Sequence, residues 1–130
     1  MTGIGVGVVG FGWMGEVHTR AYQRLRHHYP HLPLNPALVS VADPEPGRAD
    51  SAADRYGFAR ATEDWRDLVA DPDVRAVSVT APNFLHREIG VALSEAGKHI
   101  WIEKPVGLTA QDAREVAAAV ARAGVQCAVG

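Results

Sequence analysis

Two kinds of segment alternate along this chain. Short, nearly unbroken apolar runs occupy residues 4–9, 37–42, 58–61, 74–80, 98–102 and 125–129. Runs of this length, rich in valine and isoleucine, suit strands buried on both faces of a parallel sheet. Between them lie segments with apolar residues every three or four positions, which is the period of a helix. The first predicted helix spans 13–29, where Val17, Ala21 and Leu25 are expected to face the sheet. A second spans 49–56 and stops at Gly57, and a brief third holds Trp65, Leu68 and Val69 behind a cap at Thr62 or Asp64. The fourth, capped by Asn83, presents Leu85, Ile89, Ala92 and Ala96 and stops at Gly97. The fifth starts at a Thr109 cap, presents Ala113, Val116, Ala117 and Val120, and stops at Gly124. Strand and helix in strict alternation predict an α/β fold, a doubly wound parallel sheet of Rossmann type forming one domain over residues 1–130.

Composition narrows the partners. With 47% hydrophobic and 22% charged residues, the chain has the make-up of a soluble globular domain. A net charge of −2 gives no electrostatic footprint for nucleic acid and no basic face for a membrane. The apolar runs are far shorter than a spanning helix, and no charged-then-apolar leader opens the chain, so a cytoplasmic location is expected. One cysteine, Cys127, rules out an intrachain disulfide; its apolar surroundings predict a core position. Pro30, Pro33 and Pro36 end the first helix and predict an extended connection. His27, His28 and His31 lie in that segment, but it leads into a strand from the sheet's N-terminal edge, away from the ligand crevice. No metal site is expected there, nor at His18, which reads as a packed or surface histidine.

Candidate chemistry sits at the ends of strands. Gly10-Phe11-Gly12-Trp13-Met14-Gly15 follows the first strand and opens the first helix. The first glycine permits the tight turn, the second leaves the backbone bare for a pyrophosphate, and the third lets helix and strand pack closely. The helix N-terminus adds free N–H groups for the phosphates. Asp43 ends the second strand, where an acidic side chain accepts hydrogen bonds from the adenosine ribose. The interval from Gly15 exceeds the usual spacing of about 20, and the proline segment accounts for the excess. A carboxylate here repels a 2′-phosphate, so NAD is expected over NADP, with Arg48 the nearby residue that tempers the expectation. Asp43 also opens a turn, Asp43-Pro44-Glu45-Pro46-Gly47, and can do both. Ala81-Pro82-Asn83 follows the fourth strand, and His86 falls in the first turn of the next helix, where the dipole favours a neutral, hydrogen-bonding ring. Glu103-Lys104-Pro105 ends the fifth strand. Lys104 is one of two lysines against eleven arginines, which marks it for chemistry. Neighbours on a strand point to opposite faces, so Glu103 is not expected to pair with it.

Taken in order, the glycine turn, Asp43, Ala81-Pro82-Asn83-x-x-His86 and Glu103-Lys104-Pro105 make the chain resemble the N-terminal domain of the Gfo/Idh/MocA oxidoreductase family, which includes glucose–fructose oxidoreductase and inositol 2-dehydrogenase. The resemblance implies an NAD(P)-binding Rossmann domain with sheet order 3-2-1-4-5-6. It implies that Gly10, Phe11, Gly12, Trp13, Met14, Gly15, Asp43, Ala81, Pro82, Asn83, His86, Glu103 and Lys104 border the cofactor. Lys104 is the implied catalytic residue, positioning the alcohol and assisting proton transfer during hydride exchange, and the peptide bond after it is often cis. The implied substrate is a polyol, sugar or cyclitol. A following α/β domain, absent from these 130 residues, would supply the substrate pocket and the sheet of a homo-oligomer. Two other readings use the same topology: a nucleotide-binding module without catalysis, and a SAM-dependent methyltransferase. Glu103-Lys104-Pro105 and the Pro82-Asn83 turn argue against the latter.

Overall fold

The computed structural model describes residues 2–130. In chain order the elements are β1 (Thr2–Val9), α1 (Trp13–His28), β2 (Leu34–Ala42), α2 (Arg48–Tyr56), β3 (Arg60–Thr62), α3 (Arg66–Ala70), β4 (Ala76–Val79), a 3₁₀ turn (Asn83–Leu85), α4 (His86–Glu95), β5 (His99–Ile102), α5 (Ala110–Ala123) and β6 (Cys127–Val129). The six strands form one sheet in the order β3-β2-β1-β4-β5-β6, and every neighbouring pair is parallel. This is the doubly wound Rossmann arrangement. Strand order reverses between β1 and β4, so the crevice for a ligand opens beyond their carboxyl ends.

Each face of the sheet has its own core. Val8 and Val41 point to one side, where Ala49 and Ala52 of α2 meet Phe11 and Phe58. On the other side Val77, Val79, Ile100 and Ile102 pack with Ile89 and Leu93 of α4 and Val116 of α5. Adjacent Val8 and Val9 thus serve opposite cores, which is why β1 reads as an unbroken apolar run. The Thr109 cap is present, its Oγ1 accepting from the Asp112 N–H at 3.1 Å. Asp64 Oδ1 accepts from the Arg66 N–H at 3.0 Å ahead of α3.

Four expectations are corrected. β2 begins at Leu34 and runs through Pro36. It does so because β3 pairs only with Ser40 to Ala42, leaving a free edge at Pro36 where a missing N–H costs nothing. Asn83 does not cap its helix: neither the 3₁₀ turn nor α4 has a side-chain cap bond. Cys127 is exposed, because it lies on the edge strand β6. The buried residues of α1 are Gly15, His18 and Thr19, while Ala21 faces outward and Val17 is only partly covered. Among the described residues no helix is long and apolar enough to cross a membrane, and no cluster of side chains could hold a metal ion.

Candidate functional site

The glycine turn is shaped by its neighbours on both sides. Gly10 has φ +89°, and a Cβ there would lie 2.6 Å from the Ala81 backbone after β4. Gly15 meets the Gly10 carbonyl oxygen so closely that any Cβ would overlap it. Gly12 has nothing within 4 Å of the position a Cβ would take. Its bareness therefore serves no packing inside the chain and leaves room for something outside it. Gly12 is also the N-cap residue of α1, and no side chain caps that helix. The first-turn N–H groups are open to an anion. Thr80 ties β4 to the turn, its Oγ1 donating to the Gly10 carbonyl at 2.6 Å.

Asp43 is 4% exposed and fully committed in direction. Its Oδ2 accepts from the Phe11 N–H at 2.7 Å, and its Oδ1 from the Glu45 N–H at 2.9 Å. The second of these bonds makes the turn foreseen in the sequence. Each carboxylate oxygen accepts more than one hydrogen, so capacity remains for ribose hydroxyls. Arg48 lies 3.6 Å away through Nη1, half-exposed. The Phe11 side chain turns inward against Tyr56 and Phe58, so this residue serves the site by holding Asp43. Beside Asp43 opens a cleft of about 620 Å³ bordered by Arg48, Trp65, Arg66, Phe84 and Leu85.

A second cleft, of about 390 Å³, lies at the ends of β4 and β5 and shares Ala81 with the first. Trp13, Met14, Asn83, His86, Glu103 and Lys104 line it. Trp13 is 75% exposed. Pro82 is exposed at the rim. His86 is buried between two carbonyl oxygens, Pro105 at 2.7 Å from Nδ1 and Ala81 at 2.8 Å from Nε2. Both oxygens only accept, so the ring joins the turn after β5 to the turn after β4 by two hydrogen bonds only with a hydrogen on each nitrogen, whereas the neutral ring expected from its helix position donates to one of them. The Lys104–Pro105 peptide bond is cis. Lys104 is exposed, and no ion pair joins it to Glu103 among the described residues. The structure thus brings the glycine turn, Asp43, Ala81-Pro82-Asn83, His86 and Glu103-Lys104 to the carboxyl edge of the sheet.

Three residues, Ser78, Tyr22 and Trp101, escaped sequence reasoning, and His18, read there as packed or surface, is buried. His18 Nε2 lies 2.9 Å from Glu103 Oε1, and its Nδ1 lies 2.9 Å from Ser78 Oγ. Tyr22 Oη lies 2.8 Å from the same Ser78 Oγ. The His18 ring stacks on Trp101, centroids 3.6 Å apart. Burial pushes the Tyr22 hydroxyl above its ordinary pKa of 10.0, with the Ser78 bond working the other way. A signal existed. If Gly15 packs on a strand, residues three, four and seven positions on share its face, and these are His18, Thr19 and Tyr22.

The fold, the glycine turn and the placed carboxylate define a dinucleotide-binding Rossmann domain. The chain belongs to the GFO_IDH_MocA oxidoreductase family, in its NAD-binding Rossmann fold, over residues 4–130. It is 39% identical over 120 residues to levoglucosan dehydrogenase of Pseudarthrobacter phenanthrenivorans, a match covering 92% of this chain and 31% of that protein. Inositol 2-dehydrogenase of Salmonella typhimurium is 37% identical over 111 residues, covering 85% and 31%. A solved structure of levoglucosan dehydrogenase in complex with NADH and levoglucosan superposes with TM-score 0.94 at 37% identity, covering 98% of this chain and 35% of that one. The chain spans about a third of the length of the curated relatives it matches. The methyltransferase reading finds no support in these matches.

Proposed function

We propose that this chain is the cofactor-holding part of an NAD-dependent dehydrogenase that oxidises a hydroxyl-bearing carbon of a sugar or cyclitol. The observation that carries the reading is the pairing of two features at one sheet edge. Asp43 offers an oriented carboxylate by the first cleft, and Lys104 stands in the second, with the bare Gly12 and open α1 terminus between them. The residues suit a dinucleotide: the first turn of α1 for the pyrophosphate, Asp43 for the adenosine ribose, and the Lys104 cleft for the nicotinamide end. When bound, the nicotinamide supplies the hydride acceptor. Lys104 orients the substrate hydroxyl and takes part in moving its proton. A substrate-specific half of the pocket, and the contacts of a homo-oligomer, would lie in a stretch matching the two thirds of the relatives that this chain does not span. The names of the relatives, levoglucosan and inositol dehydrogenases, support a polyol as the substrate class.

NAD is favoured over NADP because a 2′-phosphate would meet the Asp43 carboxylate, losing hydrogen bonds and gaining like-charge repulsion. The two effects together are worth about 1–3 kcal/mol. Calorimetric titration with NADH and NADPH tests this, with tighter binding of NADH expected. Equal affinities would move the ribose role from Asp43 to Arg48. A screen of inositols, hexoses and anhydrosugars with NAD, followed at the NADH absorbance, tests the rest. The 130-residue chain is expected to bind nucleotide without turnover. Robust turnover would show that the substrate pocket is complete within it, and absence of NADH binding would overturn the reading altogether.

A further inference from the structure

The side chains between α1 and the ends of β4 and β5 are joined in one hydrogen-bonded series. A carboxylate only accepts, so His18 Nε2 donates to Glu103 Oε1 across 2.9 Å, whatever the state of the ring. Ser78 Oγ lies 2.9 Å from the other ring nitrogen and 2.8 Å from Tyr22 Oη. Its hydroxyl suits either form of the imidazole: it donates to a bare Nδ1 while accepting from Tyr22, or accepts from Nδ1–H while donating to Tyr22. The order serine, histidine, acid is that of an acyl-transfer triad. However, Ser78 is 0% exposed on a central strand beneath α1, so no acyl group can reach it. The series opens to solvent at its acid end. Among the described residues the Glu103 carboxylate makes its one hydrogen bond through Oε1, and no buried side-chain oxygen lacks a partner, so Oε2 is reached by solvent. Glu103 also borders the cleft lined by Trp13, Met14 and Asn83.

Packing alone does not account for this arrangement. Apolar residues of similar volume commonly replace a buried polar cluster without loss of stability, whereas a fully satisfied polar network fixes one geometry. Here the geometry fixed is that of one carboxylate. Trp101 stacks on His18, and Tyr22 stands edge-on to the same indole, so the imidazole plane and the direction of its Nε2–H are set. From another side the Gly130 backbone lies so close that any Cβ there would overlap the carboxylate. With Oε1 held in this way, Oε2 is a free acceptor on a residue of the cleft wall.

We propose that His18 is a positioning residue for cofactor binding, which holds the Glu103 carboxylate so that its free oxygen accepts from the hydroxyls of the ribose next to the nicotinamide. A fixed carboxylate oxygen suits a vicinal diol, and a dinucleotide carries two. Asp43 stands at the cleft assigned to the adenosine ribose. Trp13 and Met14 belong both to the first turn of α1 and to the Glu103 cleft, so a pyrophosphate at that terminus brings the second ribose here. The proposal rests on the reading of this cleft as the nicotinamide end.

The test is a ladder of cofactor fragments titrated into the 130-residue chain by calorimetry. ADP lacks the second ribose, ADP-ribose carries it, and NADH carries the nicotinamide as well. Glu103→Ala removes the acceptor. It should weaken NADH and ADP-ribose by about 10-fold, the worth of one hydrogen bond to a charged group, and leave ADP within about twofold of wild type. His18→Phe keeps a ring against Trp101 but removes the N–H, and should give the same pattern at about 3- to 10-fold. In the Glu103→Ala background His18→Phe should add nothing, since its effect passes through Glu103. His18→Gln, which retains an N–H, should restore most of the affinity for ADP-ribose. A His18→Phe chain that loses ADP as much as ADP-ribose would reduce His18 to a packing residue of α1. One that binds all three as wild type does would overturn the proposal outright. A loss undiminished in the Glu103→Ala background would overturn the route through Glu103. Should His18→Phe not fold, an unchanged ratio of ADP-ribose to ADP affinity in Glu103→Ala overturns the proposal. A wild-type chain that binds neither NADH nor ADP would overturn the dinucleotide reading itself, a separate failure.

Discussion

Gly12 and Gly15 stand three positions apart in the same turn and answer to different demands. An added methyl at Gly15 overlaps the Gly10 carbonyl, so α1 must lift from the sheet. Gly15→Ala is expected to lower stability by about 1–3 kcal/mol, the range of an overpacked core, and to weaken NADH binding with it. A methyl at Gly12 meets nothing of the chain. Gly12→Ala is therefore expected to leave the melting temperature within a few degrees of wild type while reducing NADH affinity by about tenfold or more, because the methyl fills the space the pyrophosphate needs. Thermal unfolding beside NADH titration checks both. A destabilised Gly12→Ala, or one binding NADH normally, would remove the phosphate from this turn. The same separation of tasks appears in Asp43, whose backbone bonds support the turn while the residue also borders the cleft.

At the scale of elements, helix boundaries were legible in the sequence because glycine and threonine caps act locally. The buried face of α1 was not. Val17, Ala21 and Leu25 make an apolar stripe at helical spacing, but position 17 lies about 200° around the helix from position 15. Once Gly15 packs on the sheet, that stripe must turn outward. The buried stripe is polar in sequence, and its residues become core by satisfying one another: Thr19 donates to the Gly15 carbonyl at 2.8 Å, and His18 and Tyr22 meet on Ser78. Hydrophobic periodicity cannot see such a face, since partners on β4 and β5 only become known with the fold. The sign of this correction is testable. Ala21→Glu, on the exposed side, should change unfolding free energy by no more than about 0.5 kcal/mol. Thr19→Glu, which buries an unpaired charge, should cost about 3 kcal/mol or more. Denaturant unfolding of the two variants decides between the faces, and the reverse ranking would restore the sequence-based assignment.

Over the whole molecule the sheet has two poles. Alternating strands and helices made the sheet legible, and the order of motifs made its strand sequence and its carboxyl-edge site legible with it. The opposite pole carries no motif, yet it holds the second lysine. Lys98 Nζ, at the entry to β5, lies 2.6 Å from the Asp71 carbonyl and 2.7 Å from that of Val74. It fastens the turn before β4 to its neighbouring strand. Lys98→Met should cost about 1–3 kcal/mol at neutral pH, from charge-assisted bonds lost and carbonyls left without that partner. NADH affinity should stay unchanged, because the proposed cofactor site lies at the other end of the strands. Lys104→Met should show the converse, wild-type stability with an altered cleft. The two lysines also differ in their dependence on pH. Burial holds the Lys98 amine below its ordinary pKa of 10.5. Between the lowered value and 10.5 the unfolded chain binds more protons than the folded one, so this group's contribution to stability rises with pH across that window. The uncharged amine keeps two hydrogens, enough for both carbonyls. The difference in unfolding free energy between wild type and Lys98→Met, measured in urea from pH 7 toward pH 10.5, should therefore widen in favour of wild type. A difference that narrows would mean that the two contacts depend on the ammonium charge, and that the fastening at this pole is an ionic one.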